Sequence, residues 1–185
     1  MSRTTTVTDP AELAEDADPR FAAINSDMRQ RGREFPFRDA AEITIDAPVE
    51  KVYDVVVDPS RLTEWVTIHD RLEDAPDRPL ERGSELTQVL RIAGRTFRVR
   101  WTVVENEPCK RMVWQGRGLL GSHARVVYRF DSDDAGRETT FSYINEYELP
   151  GGPFGRMAGL AVSLVAQKEL ENSLQRLKTL VLNQA

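Results

Sequence analysis

Five consecutive segments between residues 86 and 149 alternate apolar and polar side chains, and this alternation constrains the fold more than any other feature of the sequence. A period of two residues is typical of β-strands that bury one face and expose the other. Short loops join the segments, and one of them, Ala93-Gly94-Arg95, has the length and glycine of a tight hairpin. Strands that follow one another so closely predict an antiparallel meander. The segments are Leu86–Ile92, Thr96–Val104, Met112–Gly116, Ser122–Phe130 and Thr139–Leu149.

A long helix is predicted after the last strand. Pro150-Gly151-Gly152-Pro153 ends the sheet, and no proline follows it. Apolar side chains then recur at spacings of three and four residues, which predicts an amphipathic helix. A coiled-coil partner would require the same stripe, but a sheet with one apolar face needs a cover, so we expect residues 160–181 to lie across the sheet. The stripe comprises Leu160, Ala161, Leu164, Leu170, Leu174, Leu177 and Val181.

One strand and two short helices are predicted before the meander. Residues 42–47 alternate like a half-buried strand, and Pro48 ends it. Apolar residues at helical spacing follow in Val49–Val56, where a proline is well placed in the first turn. Asp58 then precedes Pro59 as a helix N-cap would, which predicts a second short helix that ends near Trp65. Residues 70–83 are assigned to a polar connection.

Residues 1–38 differ from the rest of the chain, because charges of both signs alternate there without a strand pattern. We expect a flexible or partly helical N-terminal arm, followed by one domain over residues 39–185. Arg29-Gln30-Arg31-Gly32-Arg33 would suit phosphate, but acidic neighbours favour a solvated tail. The formal charge of −5 disfavours nucleic acid as a partner.

The sequence also predicts where the protein resides. The first ten residues lack the apolar run of a secretory signal, and no segment is long and apolar enough for integral membrane association. The single cysteine, Cys109, cannot form an intramolecular disulfide. We therefore expect a cytoplasmic protein; its oligomeric state is not predicted.

Residues 40–182 resemble the START-related helix-grip (SRPBCC) superfamily, and in particular its polyketide cyclase/dehydratase-like members. The resemblance rests on Ile43–Tyr53, Asp58–Trp65 and Glu169–Leu182, in this order and at these separations. It implies an α+β helix-grip fold: a curved antiparallel sheet of about six strands wrapped on the C-terminal helix, with two short helices after the first strand. Members bind lipids, sterols, polyketides, hormones or quinones, and some are enzymes. The N-terminal arm has no counterpart in them.

Alternation identifies the side chains that face the interior. Many are aromatic with one polar atom, as in ligand sites that place a few polar groups on an apolar surface, although a packed core would contain them too. Asn145 and Gln88 share this inward parity. The resemblance places Trp65 at a cavity mouth, or as a hydrophobic plug. The candidate ligand-binding residues are Trp65, Trp101, Trp114, Tyr128, Tyr143, Asn145, Tyr147 and Met157.

Catalytic residues are not identified. A bulge in the last strand would turn Glu146 inward instead of Asn145 and place a carboxylate in the cavity. His69 is assigned to a polar loop and His123 to an outward strand position, and no spacing suits a metal, so neither metal nor cofactor is expected. Lys110 would lower the pKa of Cys109, but no base accompanies that thiol. Gly116–Gly121 joins two strands and opens no helix, so it is a turn and not a phosphate loop.

Three functions remain open at this point. The first is a non-enzymatic carrier or sensor that holds a small hydrophobic molecule, such as a lipid, polyketide, quinone or other aromatic compound, between sheet and C-terminal helix. The second is an enzyme of the polyketide cyclase/dehydratase type that uses a cavity acid or base. The third is an interaction scaffold that docks a partner through its N-terminal arm.

Overall fold

The computed structural model describes residues 35–92, 94–118, 122–148 and 152–184, and of residues 152–164 it describes the helical backbone alone. Its centre is a curled antiparallel sheet of seven strands in the order β1-β7-β6-β5-β4-β3-β2. The strands β3 to β7 form the expected meander, β2 extends it at one edge by pairing with β3, and β1 pairs with β7 at the other edge. The strands are β1 Phe37–Ile45, β2 His69–Glu73, β3 Glu85–Ile92, β4 Arg95–Glu107, β5 Arg111–Arg117, β6 His123–Ser132 and β7 Thr139–Glu148.

Three α-helices accompany the sheet. Helix α1 is Val49–Val57, α2 is Leu62–Trp65 after a 3-10 turn at Pro59–Arg61, and α3 is Gly152–Leu182. The Asp58 carboxylate accepts hydrogen bonds from the backbone N and the hydroxyl of Ser60 at 2.9 and 2.6 Å, as an N-cap does. The α+β helix-grip fold and its two short helices are thus confirmed.

Two strands extend the sheet beyond the sequence prediction. β1 begins at Phe37, several residues before the alternation becomes legible. β2 lies partly within the segment assigned to a polar connection, because its sequence has no apolar alternation and its pairing with β3 defines it. Ion pairs from Asp70 to Arg91 at 2.7 Å and from Glu73 to Arg98 at 2.9 Å connect this edge strand to β3 and β4. Tertiary contacts therefore stabilise a strand that the local sequence pattern does not predict.

The C-terminal half of α3 packs on β1 and α2 through its apolar stripe. Leu170, Leu174, Leu177 and Val181 are all buried in the main core. Polar contacts fix the helix in place: Lys178 Nζ donates to the carbonyl oxygen of Thr44 at 2.7 Å. The side chains of Leu160, Ala161 and Leu164 lie outside the described residues.

The expected arm lies outside the described residues up to residue 34, so its separation from the domain stays a prediction. Within the described part of the chain, no helix combines the length and the apolar character needed to cross a bilayer.

Candidate ligand-binding site

The register of the strands places the candidate residues in rows across the concave face. One row runs from Trp101 in β4 through Gly116 and Ala124 to Tyr147 in β7, and Phe37 of β1 ends it. The next row contains Trp114, Val126, Asn145 and Asp39. A third row brings Tyr128 opposite Tyr143. The strand parity predicted from sequence thus assembles one surface from β4 to β7.

One half of this surface is a packed aromatic cluster. The Trp65 ring is fully buried and meets the rings of Tyr128, Phe141 and Tyr143 edge to face, with centroids 6.1, 6.4 and 6.1 Å away. Phe130 continues the cluster against Phe141 at 5.0 Å. Edge-to-face rings at these separations are favourable contacts that leave little space between them. Trp65 is therefore part of the packed core, and its role at a cavity mouth or as a plug stays a prediction.

The two tyrosine hydroxyls of this cluster are neutral over the physiological range. Burial holds the pKa of Tyr128 well above its ordinary value, and the hydrogen bond that its hydroxyl shares with Tyr143 acts in the same direction. Burial also raises the pKa of Tyr143 to about 12. These phenols are therefore hydrogen-bonding groups at neutral pH and do not serve as bases.

The other half of the concave face is less filled. Val99, Ala124 and Leu90 are half-buried there, and Phe97 is 38% exposed. The Trp101 ring lies over Gly116, where an added Cβ would stand 2.5 Å from Trp101 Cζ3. Small residues in the middle of the row thus accommodate the ring, and α3 packs mainly on β1 and α2.

Hydrogen-bond donors are buried on this face without acceptors. The Nε1 atoms of Trp114 and Trp65 are inaccessible to solvent and have no hydrogen-bond partner among the described residues. Trp114 contacts the Trp101 ring edge to face at 6.0 Å and the Tyr128 ring at 5.7 Å, so its indole lies between the less filled half and the packed cluster. An unpartnered buried donor is uncommon and requires an explanation.

A polar chain leads from Trp101 to the edge of the sheet. Trp101 Nε1 donates to Gln88 Oε1 at 2.9 Å, and Gln88 Nε2 lies 2.9 Å from Nδ1 of His69. The assignment of His69 to a polar loop was therefore wrong: it lies in β2 opposite Leu90, on the concave side. Burial lowers its pKa below the ordinary value, while the neighbouring Asp70 acts in the opposite direction. The sequence did not predict this strand, because the residues of β2 do not alternate between apolar and polar.

The last strand carries no bulge at the position in question, so Asn145 shares the concave face with Tyr143 and Tyr147. Glu146 lies on the convex face, where it pairs with Arg125 at 2.6 Å and with Arg38 at 3.5 Å. The register thereby decides between the two orientations that the sequence left open, and it removes Glu146 from the candidate acids.

A different carboxylate, that of Asp39, belongs to a residue on the concave face. Asp39 is 5% exposed and lies directly opposite Asn145 in β1, two positions before the core residue Ala41. Sequence reasoning missed it because Ala40-Ala41 interrupts the alternation and hides the first part of β1. Extending the parity of Ile43 backwards by four residues would have found Asp39.

The remaining candidate residues add little to the description of the site. Met157 lies in the part of α3 whose side chains are not described. The pKa of Cys109 is raised and not lowered as expected, because the thiol is partly buried and lies near the carboxylates of Glu50 and Asp54. Lys110, expected to lower it, pairs instead with Glu107 at 2.7 Å. No three His, Cys, Asp or Glu side chains cluster as metal ligands anywhere in the described ranges.

This fold and its concave surface define a helix-grip protein, and sequence comparison gives the family. The family described as "Polyketide cyclase / dehydrase and lipid transport" matches residues 38–182, and the chain belongs to it. The expected superfamily is thereby confirmed.

Individual relatives are distant. Toxin Rv0910 of Mycobacterium tuberculosis is 24% identical over 137 residues, which cover 72% of this chain and 92% of the relative. Among solved structures, TTHA0849 from Thermus thermophilus is 21% identical with a TM-score of 0.63, over 79% of this chain and 97% of the other. The Zhui aromatase/cyclase from a Streptomyces species is 14% identical with a TM-score of 0.61, over 78% and 93%. At such identities the structural likeness shows the fold alone.

Proposed function

We propose that this protein is a non-enzymatic carrier or sensor that binds a small hydrophobic molecule between the concave face and α3. The observation that carries the proposal is the buried Trp114 indole N–H, which has no acceptor among the described residues. The Trp101 ring contacts this indole, and the half-buried Ala124 and Val99 pack against the same core, so the surface is apolar with few polar groups, as small-molecule sites are. A ligand oxygen would satisfy the donor, and its carbon skeleton would cover the surface.

The ligand belongs to the half of the sheet that the aromatic cluster leaves free. Trp65, Tyr128 and Tyr143 pack mainly on each other and on Phe141, so they support the site as its floor. Trp101, Trp114, Asn145 and Tyr147 form the proposed contact surface. The family to which the chain belongs includes lipid transport in its description, which agrees with a carrier.

Native mass spectrometry of the freshly purified protein tests this proposal first, because a tightly held ligand would reveal itself by its mass. Titration of tryptophan fluorescence with a panel of lipids, quinones and polyketides then tests for saturable binding. The proposal fails if no mass is added and no member of the panel saturates.

Ala124→Trp is the matching variant, because the new ring would occupy the proposed cavity. We expect binding to be lost while the melting temperature stays near that of the parent. In a solid core the same ring would overpack and cost about 1–3 kcal/mol or more. Thr102→Trp is the control: it places an indole on the convex face and should leave binding intact. An Ala124→Trp variant that unfolds, in a parent that binds nothing, would show a packed interior.

A cyclase or dehydratase is the second candidate, and Asp39 favours it. A carboxylate that is 5% exposed beside Asn145 has the setting of a general acid or base. The Zhui aromatase/cyclase shares the fold, which makes such chemistry accessible to this scaffold. The variant Asp39→Asn separates the two functions: as an enzyme the protein would lose turnover of a bound polyketide and keep its affinity, and as a carrier it would show no turnover before or after the change.

A further inference from the structure

The amide of Gln88 fixes the protonation pattern of its neighbours. An indole N–H only donates, so the atom of Gln88 that faces Trp101 at 2.9 Å is the carbonyl oxygen. The amide nitrogen then faces Nδ1 of His69, also at 2.9 Å. Because an amide NH₂ only donates, Nδ1 must accept, and the proton of the neutral imidazole resides on Nε2.

The Nε2–H of His69 has nothing to donate to. The atom is shielded from solvent, and the described residues offer it no hydrogen-bond partner. His69 shares the concave side with Leu90, its partner across the β2–β3 pair, and with Gln88 two positions earlier in β3. The burial that leaves Nε2 unpartnered also favours the uncharged ring, since it lowers the pKa of the imidazole. Such a donor is destabilising unless a further acceptor arrives.

We propose that His69 Nε2–H donates a hydrogen bond to a carbonyl oxygen of the ligand, and that Gln88 and Trp101 are positioning residues for this donor. The inference rests on the proposed function and narrows its ligand to hydrophobic ketones or quinones. A neutral carbonyl fits better than a carboxylate, because the uncharged imidazole offers a carboxylate no opposite charge in exchange for its lost hydration.

A pair of probes with one skeleton tests the proposal. Fluorenone and fluorene share a tricyclic frame, and fluorenone adds a single carbonyl oxygen. Equilibrium dialysis against the full-length protein measures both dissociation constants without relying on fluorescence. We expect fluorenone to bind more tightly, by about 3- to 10-fold for one neutral hydrogen bond.

The variant His69→Leu removes the donor and keeps an apolar side chain next to Leu90. It should abolish the preference for fluorenone and leave fluorene binding close to that of the parent. His123→Leu is the control, because His123 starts β6 opposite Glu148 on the convex face. It should preserve the preference. A preference that survives in His69→Leu would overturn the inference while the proposed function stands.

In the parent protein, the tautomer of His69 can be tested without a ligand and without a variant. Nitrogen-15 spectra of the imidazole in the parent protein should show a proton on Nε2 and none on Nδ1 at neutral pH. Trp101→Phe, which releases the Gln88 amide, should shift the ring toward a mixture of tautomers and weaken the preference for fluorenone. A ring protonated on Nδ1 in the parent would overturn the inference. If neither fluorene nor fluorenone binds, this inference fails; the proposed function fails with it only if the panel of lipids, quinones and polyketides also shows no saturable binding and native mass spectrometry shows no added mass.

Discussion

Single residues on the concave face determine where the large rings lie. Gly116 has no side chain, and Trp101 occupies the space above it, with Val99 Cγ1 only 2.8 Å from the position of an added Cβ. Further along the same row, Ala124 stands opposite Tyr147. The row therefore has two small residues between large rings, and the proposed ligand surface depends on this distribution.

Gly116→Ala should destabilise the protein by about 1–3 kcal/mol, because the new methyl group collides with the Trp101 ring and the Val99 side chain. Urea unfolding measures the free energy. In a Trp101→Leu background the same change should cost less, since the ring is gone and the two substitutions are coupled. Equal costs in both backgrounds would show that the ring does not occupy that space.

The buried tyrosines make stability depend on alkaline pH. Tyr143 has a pKa of about 12 in the folded protein against an ordinary value of 10. Below pH 10 both states are protonated and the stabilisation is complete. Above pH 10 the unfolded chain loses its proton first, so stability falls as the pH rises toward 12.

The loss attributable to Tyr143 should reach about 2–3 kcal/mol near pH 12. Urea unfolding at a series of pH values measures it, and Tyr143→Phe should flatten the curve because the titrating group is absent. A parent whose stability stays constant from pH 9 to 12 would contradict the burial of this hydroxyl.

At the scale of elements, α3 is fixed by one apolar stripe and a few polar contacts. Thr67 Oγ1 donates to the carbonyl oxygen of Glu169 at 3.0 Å, and the backbone N of Thr67 donates to Ser173 Oγ at the same distance. These bonds join the helix to the loop after α2. Leu174 lies next to this junction and is 2% exposed.

Leu174→Asp should cost at least about 3 kcal/mol, because it would bury an unpaired charge among apolar side chains. Gln175→Asp is the control: it adds the same charge one residue further, at an exposed position, and should change stability little. Thermal unfolding compares the two variants. An unchanged melting temperature for Leu174→Asp would refute the packing of α3.

At the scale of the whole molecule, the described part of the chain forms one sheet with a main core on its concave side. A second, smaller cluster of Val113, Val127 and Ile144 lies on the convex side. Phe35, just before β1, lies near the guanidinium of Arg125, with 6.0 Å between that group and the ring centroid. The chain therefore reaches the sheet already at residue 35.

Deleting residues 1–34 should leave cooperative unfolding and the melting temperature near those of the full chain, because the main core consists of later residues. Calorimetry of both chains provides the comparison. Loss of the cooperative transition in the shorter chain would show that the N-terminal segment packs on the domain and is no separate arm.

Local periodicity was sufficient to predict most of the fold. Alternation in β4, β6 and β7 identified the concave side chains, and the spacing of Leu170, Leu174 and Leu177 identified the covering helix, since both patterns reflect a requirement to bury one face. Asp58 likewise predicted the short helix α2, because an N-cap side chain bonds to the backbone of the residues that directly follow it.

Only the tertiary structure decided where strands without a pattern lie and which polar groups meet. β2 forms because it pairs with β3, so the position of His69 could not be predicted from its neighbours in the sequence. The orientation of Asn145 depended on an unbroken register, and the setting of Asp39 depended on β1 pairing with a strand about a hundred residues away. Pairing between distant segments is a property of the folded chain, and this pairing brings the residues of the proposed binding site together.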